Sequence, residues 1–219
     1  MKRLSNFIFK DNFYYHDSTE FFGCVVIGKK TVIEKNCSIG KPHRNEVLKA
    51  LLNKVEPAVQ DENTVIGDDC YIEEGTIISA GVTLGKNIVC SAFSTIGQNS
   101  FIGDNSKIHY RAQIFRGVRI GLNSRIGGFI CNDSVIGDNC SIYGKLVHKY
   151  RKHGGEEADK QTYGSPKFGN NVIAGFNSTV IGGIKINDNV YIAAGAIVTI
   201  NVPSNSIVKN VNEISEWEY

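Results

Sequence analysis

The chain has 219 residues, 42% hydrophobic and 21% charged, with a formal net charge of +2. That length suits one repetitive domain with excursions or two compact ones, and the near-neutral balance leaves no basic footprint for nucleic acid. No apolar run reaches membrane-spanning length, and Phe7-Ile8-Phe9, followed by Lys10 and Asp11, is too short for a signal-peptide core, so the expected compartment is the cytoplasm.

Residues 1–26 read as an N-terminal cap segment, with an aromatic-rich stretch at Phe13-Tyr14-Tyr15. A six-residue repeat then begins at Ile27, Ile33 and Ile39. Residues 41–63 form a first insertion, in which Leu48, Leu51, Leu52 and Val55 share one face of a short helix. The longest block steps in sixes from Ile66 through Ile72, Ile78, Leu84, Cys90 and Ile96 to Ile126, every position aliphatic except the cysteine. Four residues after each comes a small or β-branched residue, such as Thr76, Ser94 or Ala112. Pairs such as Asp68-Asp69 and Asp104-Asn105 between them suit tight turns. The count slips by four residues between Gly128 and Asp133, read as a wider corner, and resumes at Ile136 and Ile142. A polar second insertion, residues 149–167, protrudes as a loop. The last block runs Phe168, Ala174, Val180, Ile186, Ile192 and Val198, and residues 209–219 form a tail that suits a short capping helix.

Each hexapeptide supplies one short strand and one corner, so three make a triangular coil of about eighteen residues. The large aliphatic points to the axis and the small residue fills a corner. The expected architecture is an all-β solenoid prism over residues 27–208. Cys37, Cys70 and Cys140 take the small inward slot and Cys90 the aliphatic one, so these thiols read as reduced, buried and inert.

The segments Phe168-Gly169-Asn170-Asn171-Val172, Val180-Ile181-Gly182-Gly183-Ile184-Lys185-Ile186 and Ile192-Ala193-Ala194-Gly195-Ala196-Ile197-Val198-Thr199 resemble the end of a hexapeptide-repeat acyltransferase, and Asn201-Val202-Pro203-Ser204 resembles its exit from the last coil. The chain departs from that family where Lys209-Asn210-Val211-Asn212 replaces a glycine-asparagine-proline stretch. The resemblance implies a left-handed parallel β-helix, a homotrimer, and acetyl-coenzyme A (acetyl-CoA) as acyl donor, with no metal. It implies donor-binding positions at Gly175, Gly183, Ala193, Ala194 and Gly195, with Lys209 near a coenzyme A phosphate. The implied acceptor is an amine or hydroxyl of a sugar, nucleotide-linked or destined for surface polysaccharide.

The family's chemistry needs a histidine general base, because imidazole titrates near neutrality. His16 reads as packing, and His43 as a turn residue or a cleft residue. His109 stands where the repeat puts glycine or a small polar residue. His148, by count, falls in the inward aliphatic slot at the root of the second insertion. Rule-breaking positions are where functional sites are expected, so His148 and His109 are the candidate bases. His153 is a further loop candidate, and Glu156, Glu157 and Asp159 are candidate orienting acids. Two rivals stand beside this reading: a γ-class carbonic anhydrase-like zinc lyase using His109, His148 and His153, and a non-catalytic β-helix scaffold.

Overall fold

A computed structural model describes residues 6–53, 63–149 and 164–209. The chain winds as a left-handed parallel β-helix with three faces. Face 1 is a sheet of eleven strands, face 2 of nine and face 3 of eight. The chain visits the faces in the order 1, 2, 3, so the first edge joins face 1 to face 2, the second joins face 2 to face 3, and the third returns to face 1.

The six-residue repeat maps directly onto the faces. Ile72, Cys90, Ile108 and Ile126 stack on face 1, Ile78, Ile96 and Ile114 on face 2, and Ile66, Leu84, Ile102 and Ile120 on face 3. All are buried, and full burial of such a side chain is worth roughly 1.5–3 kcal/mol. The small inward slots are buried too, and their hydroxyls are satisfied. Ser100, Ser106 and Ser124 donate to the carbonyls of Phe115, Gly121 and Gly137 one coil on, at 3.0, 3.0 and 3.1 Å.

The third edge is the most regular. Asn105, Asn123 and Asn189 turn the corner with positive φ, which asparagine tolerates better than most residues. Their side chains stack as an amide ladder, with Asn87 bonded to Asn105 at 3.0 Å and Asn189 to Asn205 at 2.9 Å. Asp104 caps the amide of Lys86 in the coil before it, at 2.8 Å. The aliphatic-glycine pairs follow from this packing, because a Cβ on Gly85 would collide with the Asp104 carboxylate.

The solenoid starts earlier than residue 27. The strands Phe13–His16, Glu20–Phe21 and Val25–Ile27 pair in parallel with the next coil on faces 1, 2 and 3. The expected cap therefore supplies a coil of its own, and Phe7–Lys10 closes face 1 as an antiparallel end strand. The six-residue rule misses this coil because aromatic residues fill its positions. The first insertion leaves the second edge and carries the helix Arg44–Asn53, whose Leu48, Leu51 and Leu52 are exposed. The second insertion leaves the same edge five coils later; its residues 150–163 and the tail from residue 210, with its expected capping helix, lie outside the described residues.

The slip after Ile126 is a tighter corner, not a wider one. Ile126 on face 1 is followed on face 2 by Ile130, four residues on, and Ile142 by Leu146. Ile108 and Ile126 are paired neighbours eighteen residues apart, whereas Ile126 and Ile142 are paired sixteen apart. Glycines make this shortened turn possible: the corner is Gly127-Gly128 in one coil and Tyr143-Gly144 in the next. The consequence reaches His148. Leu146, fully buried, holds the inward slot that a count of sixes gives to the histidine, and His148 lies half-buried beyond the strand Lys145–Val147.

Candidate active site

Two adjacent coils lack two corner residues each, so the first edge is notched there. Below the notch the ordinary corner of Tyr110 and Arg111 projects, with the Arg111 guanidinium 5.1 Å from the Tyr110 ring centroid. Above it projects Phe176, 67% exposed.

His109 stands at the lower margin of the notch. Its backbone is fixed as part of face 1, with the amide donating to the Ile126 carbonyl at 2.7 Å. Gly127 lies directly over it in the next coil, and a Cβ there would meet both the Tyr143 ring and the His109 Cβ. The missing side chain lets Tyr143 fold down from the coil above, with its ring centroid 5.6 Å from the imidazole. Tyr143 in turn stacks on Phe176 at 4.8 Å and an interplanar angle of 18°.

The electrostatics of His109 are unusual for a half-buried histidine. Its Nε2 is buried and has no hydrogen-bond partner among the described residues. A buried polar atom in that state costs about 1–3 kcal/mol, so it calls for an explanation beyond packing. Burial pushes the imidazole below its ordinary value of 6.5, and the charges of Lys107 and Arg125 push the same way. The neutral, basic form therefore dominates at neutral pH.

The corner amides on this edge change character along the solenoid. In the early coils carboxylates cap them: Glu34 accepts from the Glu74 amide at 2.9 Å, and Glu73 from the Ala92 amide at 2.8 Å. At the notch, His109 and Gly127 replace those glutamates. No side chain among the described residues caps the Gly128 or Gly144 amide, which leaves two stacked donors at the notch.

The other histidines fare differently. His16 bonds Ser18 at 2.9 Å and lies 3.0 Å from Asp17. His43 caps the helix: its amide donates to Glu46 at 3.1 Å and its Nδ1 accepts from Asn45 at 3.2 Å, a reciprocal arrangement at the helix start. His148 sits on the second edge, beside Lys149, whose side chain lies against Gly182. The two expected bases thus lie on different edges, and the described residues do not bring them together. His153 and the acids Glu156, Glu157 and Asp159 lie outside the described residues. Among the described residues, no group of three metal-binding side chains forms.

Of the expected donor positions, five share the first edge with His109. Gly175 follows Ala174 on face 1, Ala193 follows Ile192, and Lys209 follows Val208. Ala194 and Gly195 form the exposed corner there, Gly195 with φ of 72°. Gly183 alone belongs to the second edge, where Gly164 fills the space its Cβ would take. Gly175 is likewise pressed by the backbone of Ala194. Both glycines therefore answer to packing within the chain. The sequence reading missed Tyr143, Phe176 and the Gly128 and Gly144 amides, although the slip at Gly127-Gly128 marked their place.

The buried thiols match expectation. Burial pushes Cys37 and Cys70 up to about 11, and Cys90 higher still, so none of the three is a nucleophile at neutral pH.

Comparison with known proteins supports the repeat. A family model described as "Hexapeptide repeat of succinyl-transferase" matches residues 94–128 and 168–199. Among curated relatives, Bifunctional protein GlmU of Clostridium kluyveri is 28% identical over 215 residues, covering 96% of this chain and 40% of the relative. The protein of the same name from Clostridium botulinum strain Langeland is 31% identical over 169 residues, covering 66% of this chain and 36% of the relative. The chain thus spans about two fifths of the curated relatives it matches. Among solved structures, a Francisella novicida UDP-N-acetylglucosamine acyltransferase aligns with a TM-score of 0.48 at 15% identity, covering 88% of this chain and 65% of that one. A Caulobacter crescentus GDP-perosamine N-acetyl transferase, in complex with CoA and GDP-perosamine, aligns with a TM-score of 0.38 at 19% identity, covering 82% and 65%.

Proposed function

We propose that this chain, whose repeats match a hexapeptide-repeat family model over residues 94–128 and 168–199, moves an acetyl or similar acyl group from acyl-CoA to an amine or hydroxyl of a sugar, with His109 as general base. The single observation that carries this reading is the buried, unpartnered Nε2 of a histidine held neutral at the notch. Nε2 takes the proton of the acceptor as its nitrogen or oxygen attacks the acyl carbon. An imidazole that stays neutral at the working pH is suited to that task. The Gly128 and Gly144 amides face the charge that develops on the acyl oxygen and stabilise it as fixed dipoles. The Tyr143 ring packs on the imidazole and sets its orientation.

Acyl-CoA supplies the activated thioester when bound. The first edge fits such a donor: above the notch it carries Phe176, then the small exposed corner of Ala194 and Gly195, then Lys209. From His109 to Ala193 are four strand spacings, about 19 Å, a length suited to an extended pantetheine arm. Ala193, Ala194 and Gly195 would hold that arm, and Lys209 would meet a phosphate. Gly175 and Gly183 are not needed for it.

Exposed Ile173, Tyr191 and Ile207 make an apolar strip on the late coils of face 1, which supports self-association, as a homotrimer. The buried free thiols and the use of a CoA thioester support a cytoplasmic setting. The acceptor belongs with nucleotide-linked sugars or the building of surface polysaccharide.

The test is thiol release from acetyl-CoA across a set of amino and hydroxy sugars, together with thermal melting in acetyl-CoA. Transfer to a sugar and a raised melting temperature are expected, since a ligand of the folded state must stabilise it. The absence of both transfer and a melting shift would sink the reading.

A further inference from the structure

The helix of the first insertion, Arg44–Asn53, lies away from the notch, on the second edge. The solenoid does not need it to turn that corner. The strands on either side, Ser38–Lys41 and Thr64–Ile66, join the same two faces that Ala80, Gly81 and Val82 alone connect one coil later. With 3.6 residues per turn, Arg44, Leu48, Leu51 and Leu52 lie along one side of the helix, and Glu46, Val47 and Ala50 along the other. Ala50 is buried and Glu46 and Val47 are half-buried, so the second side packs on the prism. The leucines point away from it: Leu48 is 49% exposed, Leu51 70% and Leu52 81%. Single apolar residues on a surface need no explanation, but three on one outward ridge do.

The polar flanks of the ridge carry one sign of charge. Lys41, Arg44 and Lys49 are exposed, with Asn45 and Asn53 beside them. The one acid of the helix, Glu46, is on the prism side, where its carboxylate accepts the His43 amide at 3.1 Å. The outward surface of the helix therefore offers leucines among cations, with no carboxylate.

We propose that this helix is a seat on an anionic bilayer surface. The leucines enter the boundary between headgroups and acyl chains, and Lys41, Arg44 and Lys49 meet lipid phosphates. Charge argues for that occupant over a second copy, because two such ridges would bring Arg44 and Lys49 against their own kind. Shape argues the same way: a short convex ridge fits a surface that yields to it. Backbone chemistry permits it, since a helix satisfies its own amides and carbonyls and can lay its flank into lipid. The contact is weak and reversible in each copy, and it leaves the first edge open. It does not rest on the reading of His109.

The experiment is co-sedimentation of the full chain with vesicles of phosphatidylcholine alone and of phosphatidylcholine mixed with phosphatidylglycerol. Binding is expected to be at least tenfold stronger on the mixed vesicles and to weaken as salt screens the cations. The double variant Leu51→Ser, Leu52→Ser should lower that binding at least tenfold. Its melting temperature, its molar mass by light scattering and its thiol release should match the native protein. The double variant Arg44→Gln, Lys49→Gln should lose the preference for the mixed vesicles. Failure of the native protein to bind the mixed vesicles would overturn the seat. So would binding that survives the leucine variant, which marks adsorption by charge alone, or a lower molar mass in that variant, which marks a second copy as the occupant. Because the readout is sedimentation, the seat stands or falls whether or not acyl transfer is found.

Discussion

The first and third edges of the prism are made from the same repeat and do opposite things with it. On the third edge the corners from Asn87 onward are alike. Asparagines in the left-handed region stack into an amide ladder, and aspartates cap the amides of the coil before. Corner side chains and amides bond to one another inside the chain. On the first edge the early coils follow the same policy with Glu34 and Glu73. At Gly127-Gly128 and Tyr143-Gly144 it stops: the corner shortens, the capping acids give way to His109, and the imidazole Nε2 has no partner among the described residues. A regular edge is a stability device, and the place where its rules lapse is where chemistry has room.

That contrast can be broken most severely by rebuilding the corner. Inserting Asn-Gly between Gly127 and Gly128, and again between Tyr143 and Gly144, restores the six-residue step in both coils and fills the notch. The expected outcome is transfer reduced below detection with the parallel β-helix intact by circular dichroism. Retained activity would show that the notch is irrelevant.

The core is expected to respond in the reverse sense. Ile102→Ala deletes a fully buried rung of face 3, and the cost should be about 2–5 kcal/mol in denaturant unfolding. Its kcat/KM, measured below the new melting temperature, should stay within about twofold of the native value.

The pH dependence separates the edges more finely. The folded-state pKa of His109 lies below the ordinary 6.5. The acid limb of kcat/KM is therefore expected below pH 6.5, with full activity above it. Stability follows the same sign. The unfolded chain binds the proton more readily, so the contribution of neutral His109 is present above about pH 6.5 and lost as pH falls toward the depressed value. His109→Gln should flatten that part of the stability profile. A limb above pH 7 in the native protein would contradict the assignment.

The smallest expected effect belongs to the ladder. Asn189→Ala removes two amide contacts and puts alanine at φ of 57°, so a loss of about 1–2 kcal/mol is expected, with kinetics unchanged. Kinetic change in this variant would mean that the edges are coupled.

Much of the fold was legible because the inward positions obey one rule. Ile66 to Ile126 in steps of six states the register without ambiguity, and the stacked serines and cysteines follow from the same count. The rule fails where other chemistry takes over the same geometry. Aromatic residues hold the first two strands of the coil at Phe13–Ile27, so a search for aliphatics starts two strands late. After Ile126, a gap of ten residues to Ile136 reads equally as one long corner or as a short step through Ile130. Only the pairing of Gln113 with Phe129 decides it. That uncertainty moved His148 into the core by count and out of it in space. The site was half legible for a related reason. His109 and the slip after Ile126 both stood out as irregularities. That Tyr143 bends over Gly127 to meet His109 depends on three coils stacking in register, which no linear spacing displays.

The central claim is that the base lies on the notched first edge and not at the root of the second insertion. Thiol release from acetyl-CoA, with the best acceptor found, compared between His109→Ala and His148→Ala, tests it most directly. The account predicts a loss of at least about 100-fold in kcat/KM for His109→Ala, the scale of a general base, and a change within about threefold for His148→Ala. A hundredfold loss in His148→Ala with His109→Ala near native would contradict it.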